Sequence, residues 1–304
     1  MAKVSPIPST GPGKGTLGTL CFGLADVKVF VMQNIDRDVV EGFGDEWSRF
    51  DQSELTDAEL QSMFDNYFNI FPWDALPENA VGVDIGCGSG RWARLVAPRA
   101  GRLHLVDPSD ALEVAKRNLR GADNCEFHRA SVEAIPLEDE SCDFGYCLGV
   151  LHHVPDTAAG LRECVSKIKR GGPFLLYLYY RFDNRPAWFR ALWKGSDVVR
   201  SFISRLPHGP RFALSQVFAA AVYFPLARTA KLLERAGVNV STFPLSQYRN
   251  NSFYTMRTDA LDRFGTRLEK RFTKDEIREM MEGCGLRHIR FSETSFWTAV
   301  GFKA

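Results

Sequence analysis

Between residues 80 and 180 the hydrophobic pattern switches period again and again. The runs AVGVDIG, RLHLVD, CEFHRAS, CDFGYCLGV and PFLLYLYY are short, dense in apolar residues and bounded by turn formers, which predicts buried strands. RWARLVAPRA, ALEVAKRNLRG and LRECVSKIKRGG alternate with them at helical spacing, and Gly121 is placed to close the second. Strand and helix in alternation imply parallel βαβ units and a doubly wound α/β sheet.

The pattern differs on either side. LTDAELQSMFDNYF repeats Leu60, Met63, Phe64 and Tyr67 at helical spacing, behind Thr56 and Glu59 spaced as a capping box. FTKDEIREMMEGCGL reads as another helix, with Thr273 and Glu276 as its box. RHIRFSE and SFWTAVGFKA then read as two strands, whose short connection cannot cross over and so makes them antiparallel. Between the fifth strand and that helix lie about ninety residues that the sheet pattern does not use. The expected organisation is therefore a flexible arm over 1–25, a helical N-terminal lid over 26–77 and a core over 78–180. A helical cap insertion over 181–270 and a final helix and strand pair over 271–304 complete it.

Composition excludes more than it selects. The 304 residues are 45% hydrophobic and 25% charged, with a formal net charge of +1, so no global pull toward nucleic acid or membrane exists. Seven cysteines without a Cys-x-x-Cys pair argue for a reducing compartment, and against a disulfide framework or a structural zinc. No metal site is expected. The Pro- and Gly-rich start lacks a continuous apolar region, and a cytoplasmic location is expected. Charge is nevertheless uneven: residues 36–65 carry ten acids and two arginines, and residues 185–235 carry nine Lys/Arg and two acids.

Candidate chemistry begins at VGVDIGCGSGRW, residues 81–92. Gly86, Gly88 and Gly90 follow a strand and open a helix, where backbone approaches a ligand closely. A dinucleotide fingerprint would put its third glycine at 91, but Arg91 stands there. A nucleoside is the better expectation, because Asp107 ends the second strand, where a carboxylate accepts hydrogen bonds from ribose hydroxyls.

VDIGCGSG, LVDPS and LGVLHHVPD resemble the successive strand-end motifs of class I S-adenosylmethionine-dependent methyltransferases of the broad small-molecule type. The resemblance covers about residues 78–180 and implies a Rossmann-like seven-stranded methyltransferase sheet with the last strand antiparallel. It implies S-adenosylmethionine as cofactor. Asp84 and the backbone of Gly86, Cys87 and Gly88 would face its methionyl end, with Gly90 letting the helix start close by. Asp107 would bind the ribose, and Pro108 and Ser109 would flank the adenine. Ser131 and Val132 align with a stretch in which the family usually carries aspartate, so a hydroxyl or backbone contact would replace a carboxylate. The Leu148–Gly149 backbone would meet the amino acid part.

A sulfonium methyl is already activated, so catalysis is mainly alignment, plus a general base where the acceptor keeps its proton. His152 and His153 stand past the fourth strand, where this family faces its acceptor. His152 is the first choice, because apolar neighbours suggest that His153 turns inward. Tyr177, Tyr179 and Tyr180 end the fifth strand, and Tyr180 is a further catalytic candidate. Tyr248, Arg249, Asn250 and Tyr254, within SQYRNNSFYTMRTD, form a candidate acceptor-specifying patch, with a solvated loop as the alternative. GFGDEWSRF places Phe43, Trp47 and Phe50 either over the cofactor or in the core. The uncharged run FALSQVFAAAVYFPLA, 212–227, is too short to span a bilayer and is interrupted by Pro225. It reads as a cap helix buried on the sheet domain in preference to one resting on a membrane surface. A small-molecule acceptor, and not nucleic acid, is expected; non-methylating chemistry on the same cofactor and a non-enzymatic binding module are the rivals.

Overall fold

The computed structural model describes residues 34–183, 185–294 and 296–304, so the expected arm and the first residues of the lid, 26–33, lie outside the described residues. Seven strands form one sheet: β1 (Val81–Ile85), β2 (Arg102–Val106), β3 (Cys125–His128), β4 (Phe144–Leu148), β5 (Pro173–Tyr177), β6 (Leu286–Phe291) and β7 (Ala299–Lys303). Their order is β3-β2-β1-β4-β5-β7-β6. Only β7 runs antiparallel to its neighbours, β5 and β6.

The helices follow the sequence pattern closely in the core. Asp36 caps α1 (Arg37–Arg49) by accepting from the Val39 amide, and Thr56 caps α2 (Asp57–Phe68) by accepting from Glu59. Next come the short α3 (Ala93–Val96), α4 (Ala111–Asn118) and α5 (Thr157–Ser166). The insertion supplies α6 (Ala187–Ile203), α7 (His208–Phe218), α8 (Phe224–Arg235) and α9 (Phe253–Gly265), and α10 (Lys274–Gly283) precedes β6.

Each face of the sheet has its own core. Phe64 and Phe68 of α2, Trp92, and Leu112 and Ala115 of α4 pack with Leu103 and Leu105. Leu161 and Val165 of α5 and Ile277 and Met281 of α10 pack with Val83 and Ile85 on the other. The layers leave the carboxyl ends of β1 and β4 open where strand order reverses, which is where open α/β sheets bind ligands.

The insertion builds a third core of its own. Ala219, Tyr223 and Ala227 meet Ile203, Met256, Ala260 and Phe264. The run 212–227 therefore buries itself on α9 and not on the sheet, a correction to the expectation above. Small alanines let it approach α9, and the π-helical turn Ala219–Tyr223 takes up the break that Pro225 imposes.

Candidate active site

A cleft of about 940 Å3, open solvent at its mouth included, lies above the ends of β1, β2 and β4. Gly86, Cys87, Gly88, Asp107, Pro108, Ser109, Ser131, Val132, Leu148 and Gly149 all line it. These are ten of the positions named from the sequence.

The glycine turn is built for a bare backbone. Gly86 sits at φ +76°, and a Cβ there would come within 2.3 Å of Val150 Cγ2. Gly88 sits at φ +53°, with the Trp47 indole 3.0 Å from where a Cβ would be. Asp107 locks the turn from below. Its Oδ2 accepts from the Gly88 amide at 2.9 Å, and its Oδ1 accepts from the Ser109 amide at 2.9 Å and the Ser109 hydroxyl at 2.6 Å. Burial pushes its pKa up and the Ser109 and Gly88 bonds pull it back. Oδ2, with one bond, keeps a lone pair for a ligand hydroxyl, whereas Oδ1 already accepts two.

Two expected cofactor residues stand elsewhere. Asp84 is 1% exposed and points beneath the sheet end toward Tyr146, because the strand alternation that sends Val83 and Ile85 to one core sends it to the other. Burial raises its pKa to about 8. Gly90 lies off the cleft, where its missing side chain lets Ala115 of α4 and Leu119 just beyond it approach.

Helix α1 roofs the cleft. Val39, Val40, Phe43 and Trp47 of this helix line it from above, whereas Phe50 is in the core with Leu55, Leu60 and Tyr254. Of the three aromatics in GFGDEWSRF, two face the cleft. The helix is pinned at its entry, where Asn34 exchanges bonds with Asp156 at 2.6 and 2.8 Å and its amide donates to Glu133.

The histidine assignment inverts. His152 is fully buried, stacks on Tyr179 at 3.8 Å, has no hydrogen-bond partner at either ring nitrogen and does not line the cleft. His153 does line it. Its Nδ1 lies 2.7 Å from the Leu268 carbonyl oxygen, so Nδ1 carries the proton and donates. That leaves Nε2 as the acceptor, buried and without a partner. Burial holds the imidazole below its usual pKa, with Asp262 opposing in part. The apolar neighbours misled because residues 151–153 form a 3-10 turn, which does not alternate faces like a strand.

A polar cluster continues inward from His153. Tyr179, its ring 5.6 Å from His153, donates its hydroxyl to Asp262 on α9. Asp259, one turn earlier, is hydrogen-bonded by Tyr248, and burial raises its pKa to about 6. Glu46 of α1 is 4% exposed, and burial with the nearby Asp262 and Asp259 charges pushes it well above the carboxylate range. Sequence reading did not single out Glu46, Asp259 or Asp262. The i,i+3 spacing of the two aspartates on one helix face was the available signal.

The remaining candidates are structural. Tyr180 packs on Phe182 and Trp297 because the chain leaves the sheet after Tyr177 and pairs with Phe272. Arg249 is tied to Glu234 at 2.9 Å, and Asn250 is exposed. The Tyr254 hydroxyl accepts from the Gln52 amide at 2.8 Å in the core. Of that patch only Tyr248 reaches the polar cluster.

Known proteins match this architecture. A family profile described as a methyltransferase domain matches residues 83–176. A ubiquinone biosynthesis O-methyltransferase of Xanthomonas campestris pv. campestris is 31% identical over 183 residues, 54% of this chain and 75% of that protein. One from Nitrosomonas europaea is 27% identical over 169 residues, covering 54% of this chain and 68% of the relative. Against others of the same name the chain spans about half their length. An O-methyltransferase family protein of Burkholderia thailandensis shares the fold, with TM-score 0.50 and 13% identity over 84% of this chain and 59% of that one. The bare-backbone cradle at Gly86 and Gly88, with a carboxylate at the next strand end, fits the nucleoside cofactor these relatives imply. The chain belongs to the S-adenosylmethionine-dependent methyltransferases.

Proposed function

We propose that this enzyme methylates an oxygen of a small polar molecule, with His153 as general base. The carrying observation is the His153 imidazole, fixed by the Leu268 carbonyl in the tautomer that leaves Nε2 free, on the wall of the cleft. When bound, S-adenosylmethionine supplies a methyl group on a sulfonium, already activated for displacement. The turn at Gly86 to Gly88 and Asp107 would hold it, and Phe43 and Trp47 on α1 would exclude water. Nε2 of His153 would take the acceptor's hydroxyl proton as the oxygen attacks. The resulting imidazolium would find Asp262 nearby, itself oriented by Tyr179.

Two observations support the acceptor class. Tyr179, Asp262, Asp259 and Tyr248 form a polar cluster behind His153, outside the cleft lining, that would give the inner wall of the site a polar character. Three basic side chains of the insertion are spent internally, Arg200 on the Thr266 carbonyl, Arg211 on Gly265 and Arg228 on Arg249 and Asn251, and a formal net charge of +1 gives the chain no basic excess of the kind nucleic-acid binders carry. An acceptor taken from a membrane surface has one observation on its side, the exposed stripe Trp188, Leu192, Val199 and Phe202 on α6. Among the described residues no helix is long and apolar enough to cross a membrane.

The test is release of S-adenosylhomocysteine with a panel of catechols and other hydroxylated aromatics. His153→Ala is expected to lower kcat by about 10²–10⁴-fold, with S-adenosylhomocysteine affinity nearly unchanged. Retention of kcat by that variant would remove His153 from the mechanism.

A further inference from the structure

Three side chains outside the cleft lining converge on the β2–β3 edge of the sheet. Strand register sets His104 of β2 opposite Glu126 of β3. His128, two residues beyond Glu126, projects from the same face. His104 Nδ1 lies 3.1 Å from His128 Nε2 and 3.3 Å from Glu126 Oε2, and the three ligand atoms all fall within 4.8 Å of one another. Arg102 holds the other carboxylate oxygen at 3.3 Å and so orients Oε2 toward the imidazoles.

Hydrogen bonding alone serves this arrangement poorly. A neutral ring nitrogen has one proton or one lone pair, yet His104 Nδ1 faces both a carboxylate oxygen, which only accepts, and a second ring nitrogen. A divalent cation satisfies all three together. Zinc bonds of about 2.0–2.1 Å put ligand atoms roughly 3.3 Å apart along a tetrahedral edge, close to the two separations found here. The geometry points to a Zn2+ site formed by His104, Glu126 and His128, with water as the fourth ligand. Two imidazoles and a carboxylate are a donor set that zinc takes readily and that magnesium or calcium, which want oxygen, do not.

The site would staple the edge of the sheet. β3 is the terminal strand, and its partner β2 runs on to Asp107, whose amide donates to the His128 carbonyl at 3.1 Å. The ion would tie the two edge strands together while keeping one open, water-filled position, and the site stands on observations independent of the methyl-transfer chemistry. The expectation of no metal rested on cysteine spacing; these ligands are brought together by register between two strands.

The experiment is titration of the chelator-treated full chain with Zn2+ against a chromophoric chelator, repeated with Co2+ for its spectrum. Wild type is expected to take up one equivalent, to gain thermal stability with it, and to show a Co2+ spectrum without a thiolate charge-transfer band. Glu126→Gln and His128→Ala should each weaken Zn2+ binding at least tenfold. His104 is more buried, so these two variants, checked by circular dichroism and S-adenosylhomocysteine binding, decide the matter if His104→Ala fails to fold. Failure of the wild type to hold one equivalent would overturn the site. So would binding unaffected by both substitutions, or a cobalt–thiolate band.

Discussion

His152 and His153 share a turn and have opposite environments. The first is walled in by Tyr179 and by its neighbour's ring at 4.0 Å; the second has one nitrogen fixed and one free. This sets the pH behaviour. A base with a lowered pKa stays unprotonated further into acid. The acid limb of kcat/KM should therefore turn below pH 6.5, the unperturbed imidazole value, with activity level above it. A limb at or above that value would contradict the assignment. Single residues were legible in the sequence where backbone chemistry fixes them: Gly86, Gly88 and Asp107 belong to a turn whose shape only such residues permit. They were illegible where orientation depends on a turn type, as at His152 and His153, or on strand alternation, as at Asp84.

At the scale of elements, the two capping boxes read from the sequence diverge. At α10 both halves form: Thr273 accepts from the Glu276 amide and Glu276 accepts from the Thr273 amide. At α2 only Thr56 caps its helix. Glu59 has been recruited across the molecule, where its Oε1 accepts from the Ser252 amide and the Thr255 hydroxyl, both at 2.8 Å. It joins α2 to the start of α9, the helix that carries Asp259 and Asp262. Glu59→Ala is accordingly predicted to cost about 1–3 kcal/mol by urea denaturation, as a half-buried network loses its charged acceptor. A cost within about 0.5 kcal/mol would mean that the link holds nothing. Strands and core helices were legible because each buries a periodic face. The partner of Glu59 was not, since 193 residues separate it from Ser252.

Over the whole molecule, the acidic N-terminal segment and the basic insertion meet only in part. Asp45 pairs with His208 at 3.3 Å, but Asp38 pairs with Arg267, beyond the basic stretch. Such exposed pairs are worth little each, so the roof over the cleft rests on Phe43, Trp47 and the Asn34 contacts more than on charge. The sheet and the cofactor side of the cleft were readable because contiguous strand-end motifs line that side. The residues proposed for the acceptor side were not, because His153, Tyr179 and Asp262 come from the turn after β4, the segment after β5 and α9, which only the fold brings together. Calorimetric titration with S-adenosylhomocysteine, on wild type and on Asp107→Asn, tests the central claim that this cleft holds the cofactor. Wild type should bind, and the variant should bind about ten- to a hundredfold more weakly, about 1.5–3 kcal/mol, because it loses both a ribose acceptor and the tie to Gly88. Absence of binding by the wild type, or equal binding by the two, would contradict it.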